Sequence, residues 1–181
     1  MLGWIGALWG LGAITLLLTS AVVRLGKIGT AAFDFPFAWF HWLILAATLV
    51  FMAYSEGYRG FQRGFSPRVA ARARYLRDHP VATHVLLAPL FCMGFIHATR
   101  RRKLTALILT SAIILLIALV RLLPQPWRGI IDLGVVVGLG WGVISLLVFA
   151  ARALSGAPPA ADPEVPVAVT PPQHPAPPKT A

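Results

Sequence analysis

"VATHVLLAPLFCMGFIHA", residues 81 to 98, decides how often this chain crosses a membrane. Its apolar core runs only from Val85 to Ile96, with Pro89 inside it and His84 and His97 on either side. An apolar run of roughly 10–14 residues is more often re-entrant, interfacial or buried than a full crossing, which takes about 20. Upstream stands "YSEGYRGFQRGFSPRVAARARYLRDHP", residues 54 to 80, with six arginines; downstream stands "RRRK", residues 100 to 103. The charges arbitrate. With Lys179 in the distant tail set aside, lysine and arginine divide eight against seven if residues 81–98 cross, and eleven against four if they do not. Cytoplasmic loops carry the excess of these residues, so the second arrangement is expected.

The expected fold is all-α: a polytopic helical membrane protein with four transmembrane helices plus a re-entrant or interfacial third hydrophobic segment. The spans fall at about residues 2–23, 37–54, 104–120 and 130–151, and both termini are cytoplasmic. Five transmembrane helices are the alternative, since a kinked helix of about 27 Å over residues 81–98 can cross a thin bilayer.

Composition supports a membrane setting. The chain is 57% hydrophobic and only 12% charged, with a mean hydropathy of +0.75, whereas soluble domains have about 25% charged residues. The net charge of +10 sits mostly in loops between apolar runs, which suits the lipid bilayer and its anionic lipid headgroups and argues against nucleic acid. Cys92 is the one cysteine, so neither an internal disulfide nor a CxxC metal site can form. "MLGWIGALWGLGAITLLLTSAVVRLG" lacks a basic leader and an A-x-A site and reads as a retained first span. The Arg, Ala and Pro bias points to a GC-rich bacterial genome and hence an inner membrane. Residues 157–181 are Pro/Ala-rich and read as a disordered tail.

Candidate functional residues follow from where charge meets grease. "FSPRVAARARYLRDHP" has a helix start in Ser66 and Pro67, predicting an interfacial basic helix over 66–78. There Arg68 and Arg72 share one face, for contact with an anionic lipid or phosphate, while Val69, Ala73 and Leu76 face the bilayer. Glu56, just past the second span, is expected to pair with Arg59 or Arg63, or else to relay protons. In "RLLPQPWRGIIDLG", Asp132 lies four residues after Arg128 and can pair with it on one face near Arg121. His84 and His97 are thirteen apart and do not share a face of an ideal helix, although a bend at Pro89 would change that. No metal-binding spacing occurs and no cofactor is predicted; a bis-histidine haem would need two helices to present its ligands. Gly134, Gly138 and Gly142, with Gly6 and Gly10, form small-residue ridges by which the first and last spans could pack on each other or on a second copy.

No nucleophile or phosphate-loop motif is present. The leading functional expectation is an accessory, assembly or lipid-binding role without catalysis, with a homo-oligomer or a membrane partner protein. A small oligomeric transporter or channel comes second. Third is an interfacial enzyme on a phospholipid or polyprenyl phosphate, with Arg59 to Arg77 as phosphate clamp.

Overall fold

A computed structural model describes residues 1–165; the rest of the Pro/Ala-rich tail lies outside the described residues. Its helices are α1 (Leu2–Thr30), α2 (Trp39–Met52), α3 (Ser66–Asp78), α4 (Ala82–Leu86), α5 (Ala88–Met93), α6 (Arg100–Val120) and α7 (Trp127–Leu154). Four helical stretches are long and apolar enough to cross a membrane: 2–34, 39–78, 100–120 and 127–154. This is a helical membrane protein. Residues 81–98 form no helix of that length. They form the five-residue α4 and the six-residue α5, broken at Leu87, with Pro89 in the first turn of α5. Proline is tolerated there because the first amides of a helix bond nothing anyway. Gly94, at φ +90, ends α5 in the left-handed conformation that glycine adopts without strain.

The second span departs from expectation. Ala53–Phe65 is π-helical and joins α2 to α3 without a break, so one helix runs 40 residues from Trp39 to Asp78. The predicted start at Ser66 is overridden. Pro67 would normally break the helix, since its ring meets the carbonyl four residues back. The wider i→i+5 turns ahead of it move that carbonyl aside. Residues four apart come nearly into line in this segment: Tyr54 stacks on Tyr58 at 6.0 Å, and Phe61 meets Phe65 edge-on at 5.5 Å.

α1 runs antiparallel to this long helix and to α7. Gly3 lies against the Arg77 carbonyl at one end, and Gly29 against Leu133 at the other. The glycine ridges are used within the chain, though not on each other. Gly134 faces Thr48 and Met52, Gly138 faces Glu56, and Gly142 faces the Phe61 ring, where a Cβ would stand 2.6 Å away. Gly6 instead admits Leu76 and Val85, and Gly10 admits Ala88 and Cys92.

The main core lies at the basic end, where Ala7, Leu11 and Ile14 of α1 meet Val69, Ala73 and Leu76 of α3, Phe91 and Cys92 of α5, and Leu146 of α7. Val69, Ala73 and Leu76 are wholly buried in protein and do not face lipid. α3 is therefore an internal strut, not a helix lying in the membrane interface. By contrast, α6 stands apart: it is buried only at Arg102 and Ala106 near its start and Val120 at its end.

Candidate functional site

Two short helices in series leave unmatched carbonyls at their ends, and burying such groups is costly. Arg72 supplies the answer. It is 1% exposed, and its guanidinium donates through Nε to Phe91 O (2.6 Å), through Nη2 to Ile96 O (2.7 Å) and His97 O (3.0 Å), and through Nη1 to Pro163 O (2.6 Å). It also stacks over the Phe91 ring at 4.3 Å. Four of its five N–H donors are thus spent on backbone, and the side chain that the sequence offered to a lipid phosphate is turned inward. Arg68, one turn earlier, stays half-exposed. The two do not act as a pair on a lipid-facing surface.

The same hairpin folds His84 and His97 together, with ring centroids 4.8 Å apart and Phe91 stacked at 5.0 Å from His84. The bend, and not helical spacing, makes them neighbours. Burial foremost, then His97 and Arg72, push the His84 imidazole below its ordinary range. Its Nδ1 is buried without a hydrogen-bond partner. Cys92 beside them is wholly buried, and burial pushes its thiol up to about 12 despite the nearby Arg72 charge. Among the described residues, no group of three or more His, Cys, Asp or Glu is arranged to hold a metal.

Above this hairpin the start of α6 and the first part of the tail meet. The Thr99 Oγ1 accepts from the Arg102 amide at 3.4 Å, capping α6, and the Thr99 amide donates to Glu164 O at 3.1 Å. The Glu164 carboxylate sits between Arg68 (4.0 Å) and Arg102 (3.9 Å). So residues 157–165, read as the start of a disordered tail, are docked: Arg74 also reaches Ala157 O, and Val165 packs on the core. Sequence reasoning passed over Arg102, Thr99 and Glu164. "ADPEVP" did hold the clue, since two of the chain's six acids fall in that short, otherwise apolar stretch.

The other candidates are dispersed. Glu56 packs against Gly138, and no basic side chain comes within 4.0 Å of it among the described residues. The expected pairing with Arg59 or Arg63 is absent: both are exposed, and Arg63 lies over the Tyr58 ring at 5.5 Å. Arg59 to Arg77 therefore point in several directions and do not form one phosphate clamp. At the opposite end, Arg128 and the 5%-exposed Asp132 do pair, at 3.6 Å, while Arg121 is exposed in the loop. Nearby, His41 accepts from the Ala38 amide at 3.0 Å, capping α2, and packs on Trp127 at 4.9 Å. Comparison of the chain with family models, with curated proteins and with solved structures finds no match.

Proposed function

We propose that this chain is a non-enzymatic accessory protein of the bacterial inner membrane, with both termini cytoplasmic, which holds a partner membrane protein laterally through α6. The observation that carries the reading is the isolation of α6. It is a 21-residue helix of high hydropathy that leaves Leu107, Ile108, Ile114 and Leu115 more than half exposed, while α1, α3, α5 and α7 close on one another. Helices in lipid associate by close packing, and this one has no close-packed neighbour among the described residues. An open apolar groove on α2, lined by Leu43, Ala46, Ala47 and Val50, offers a second lipid-facing seat with small residues at its floor. The eleven-to-four charge bias supports the orientation, and the gathered basic residues suit an anionic cytoplasmic leaflet.

A photo-crosslinking residue placed at Leu107 or Ile114 in cells is expected to capture one defined protein, while the same residue at Leu16 on α1 captures lipid. Capture of lipid alone from α6 would sink the reading.

A second reading, a small transporter, is favoured by Glu56, an acid with no counter-ion among the described residues, on a π-helical segment, where such irregular turns often mark function. It predicts a proton or cation flux in proteoliposomes that Glu56→Gln abolishes. Equal flux in both proteins excludes Glu56 as the relay.

A further inference from the structure

We propose that Arg68, Arg102 and the first turn of α6 form a site for a phosphate group, and that Glu164 is a tethered plug occupying it. The side chain of Arg102 is 8% exposed, yet its Nε has no hydrogen-bond partner and its Nη2 reaches only Met93 O at 3.5 Å. A guanidinium so deeply placed normally has its donors matched. What faces it is the Glu164 carboxylate at 3.9 Å, with Arg68 on the far side at 4.0 Å. Both gaps exceed the roughly 2.7–2.9 Å of a charge-assisted hydrogen bond. The flat carboxylate bridges the two forks without closing on either. A tetrahedral phosphate has more oxygens, spread more widely, and can close on both.

The surroundings favour an anion. Among the described residues, the Arg100 and Arg101 amides at the positive end of α6 have no hydrogen-bond partner, and the Arg100, Arg101 and Lys103 side chains are exposed beside the site. Arg68 and Arg102 meet a single carboxylate, leaving an excess of positive charge.

The plug is held from behind. The Glu164 amide donates to Asp162 Oδ1 at 2.6 Å, Pro163 O is taken by Arg72, and Glu164 itself sits at φ +50. That left-handed conformation costs a non-glycine residue energy, which withdrawal of the plug would release. The ligand class is a phosphate mono- or diester, from a soluble phosphate or from an anionic phospholipid headgroup. The site stands whether or not α6 has a protein partner.

The test uses the full chain in phosphatidylcholine nanodiscs. Hydrogen exchange over residues 161–165 reports withdrawal of the plug. One arm adds inorganic phosphate; the other uses nanodiscs containing about a third phosphatidylglycerol. Faster exchange of 161–165 in the first arm identifies a soluble phosphate, and in the second a lipid headgroup. Glu164→Gln is expected to bind the effective probe about tenfold more tightly, whereas Asp78→Asn, the same charge change at the same end, leaves binding unaltered. Arg102→Gln and Arg68→Gln each abolish it. The proposal is overturned if neither probe mobilises residues 161–165. It is equally overturned if Glu164→Gln gains no affinity, or gains no more than Asp78→Asn.

Discussion

Arg72 shows how a residue type can mislead when read one at a time. An arginine beside a membrane is ordinarily a solvated headgroup contact, and only its neighbours on the helix argue otherwise. Val69, Ala73 and Leu76 are apolar and Ala70 and Ala71 are small, so Arg72 stands in a stripe that other elements can approach closely. Removing it leaves the carbonyls of residues 96 and 97 without its donors and takes from the Phe91 carbonyl its second one. Arg72→Ala is expected to weaken the hairpin by at least about 3 kcal/mol, since charged hydrogen bonds are each worth about 1.5–3 kcal/mol. Cys92 provides the readout. Wholly buried and barely ionised, it should resist maleimide in the native protein and react on the order of a hundredfold faster in the variant, because each 1.4 kcal/mol of opening is about tenfold. Equal reactivity would mean that Arg72 does not hold the hairpin. His84 adds a pH dependence. Its folded-state value lies below its unfolded one, so between the two the unfolded chain binds the extra proton. The contribution of His84 is intact above the ordinary histidine range and is lost as pH falls through it. His97 and Arg72 face the same ring and oppose a charge there, while Phe91 is neutral. Hydrogen exchange of residues 81–97 should therefore quicken as pH falls below the ordinary histidine range, and His84→Gln should flatten that response.

At the scale of elements, the long helix from Trp39 to Asp78 and α7 are fitted to each other along most of their length. Glycines on α7 receive side chains from the π-helical stretch: Glu56 on Gly138 and Phe61 on Gly142. Gly57 in turn receives Trp141, whose Nε1–H donates to Gln62 at 2.7 Å. Further along, the buried hydroxyls of Ser66 and Ser145 bond each other at 2.7 Å. The glycine spacing at 134, 138 and 142 was legible as a packing ridge, but the partner was not, because a small-residue stripe specifies closeness and not what comes close. Gly142→Leu would drive a branched side chain into the Phe61 ring. Overpacking of this kind typically costs about 1–3 kcal/mol, so the variant should unfold at a lower temperature in detergent. Gly140→Leu, at a position with open space, should not. Helix propensity favours leucine over glycine at both positions, so a matching loss at both would mean that the interlock with Phe61 does not set the effect.

At the scale of the whole molecule, every strongly basic segment from Arg68 onward except the Arg121–Arg128 loop gathers at one end, with Met1, the α4–α5 hairpin and the docked tail. Arg24, Lys27, Arg121 and Arg128 belong to the other end, where Gln125 donates to Ile28 O at 3.3 Å and ties the two turns together. In a Cys92→Ala background, single cysteines at His79, Arg101 and Ser155 are expected to react with an impermeant maleimide from one side of the membrane, and a cysteine at Leu122 from the other. All four positions are exposed. Labelling of His79 and Arg101 from opposite sides would require residues 81–98 to cross and would remove the four-span arrangement.

Hydropathy along the chain determined the class, the four long apolar helices and the lack of a fifth at residues 81–98. Those properties depend on local composition against a medium of fixed thickness, and a single chain carries that information in order. The continuity of the second span through Pro67, the inward turn of Arg72, the meeting of His84 with His97 and the seating of Glu164 between two arginines were not written locally. Each depends on groups many residues distant that must satisfy one another once water is gone: carbonyls at 96 and 97 that Arg72 fills, an unmatched Arg102 Nε, a glycine floor beneath Glu56. Only the assembled bundle brings those groups within reach.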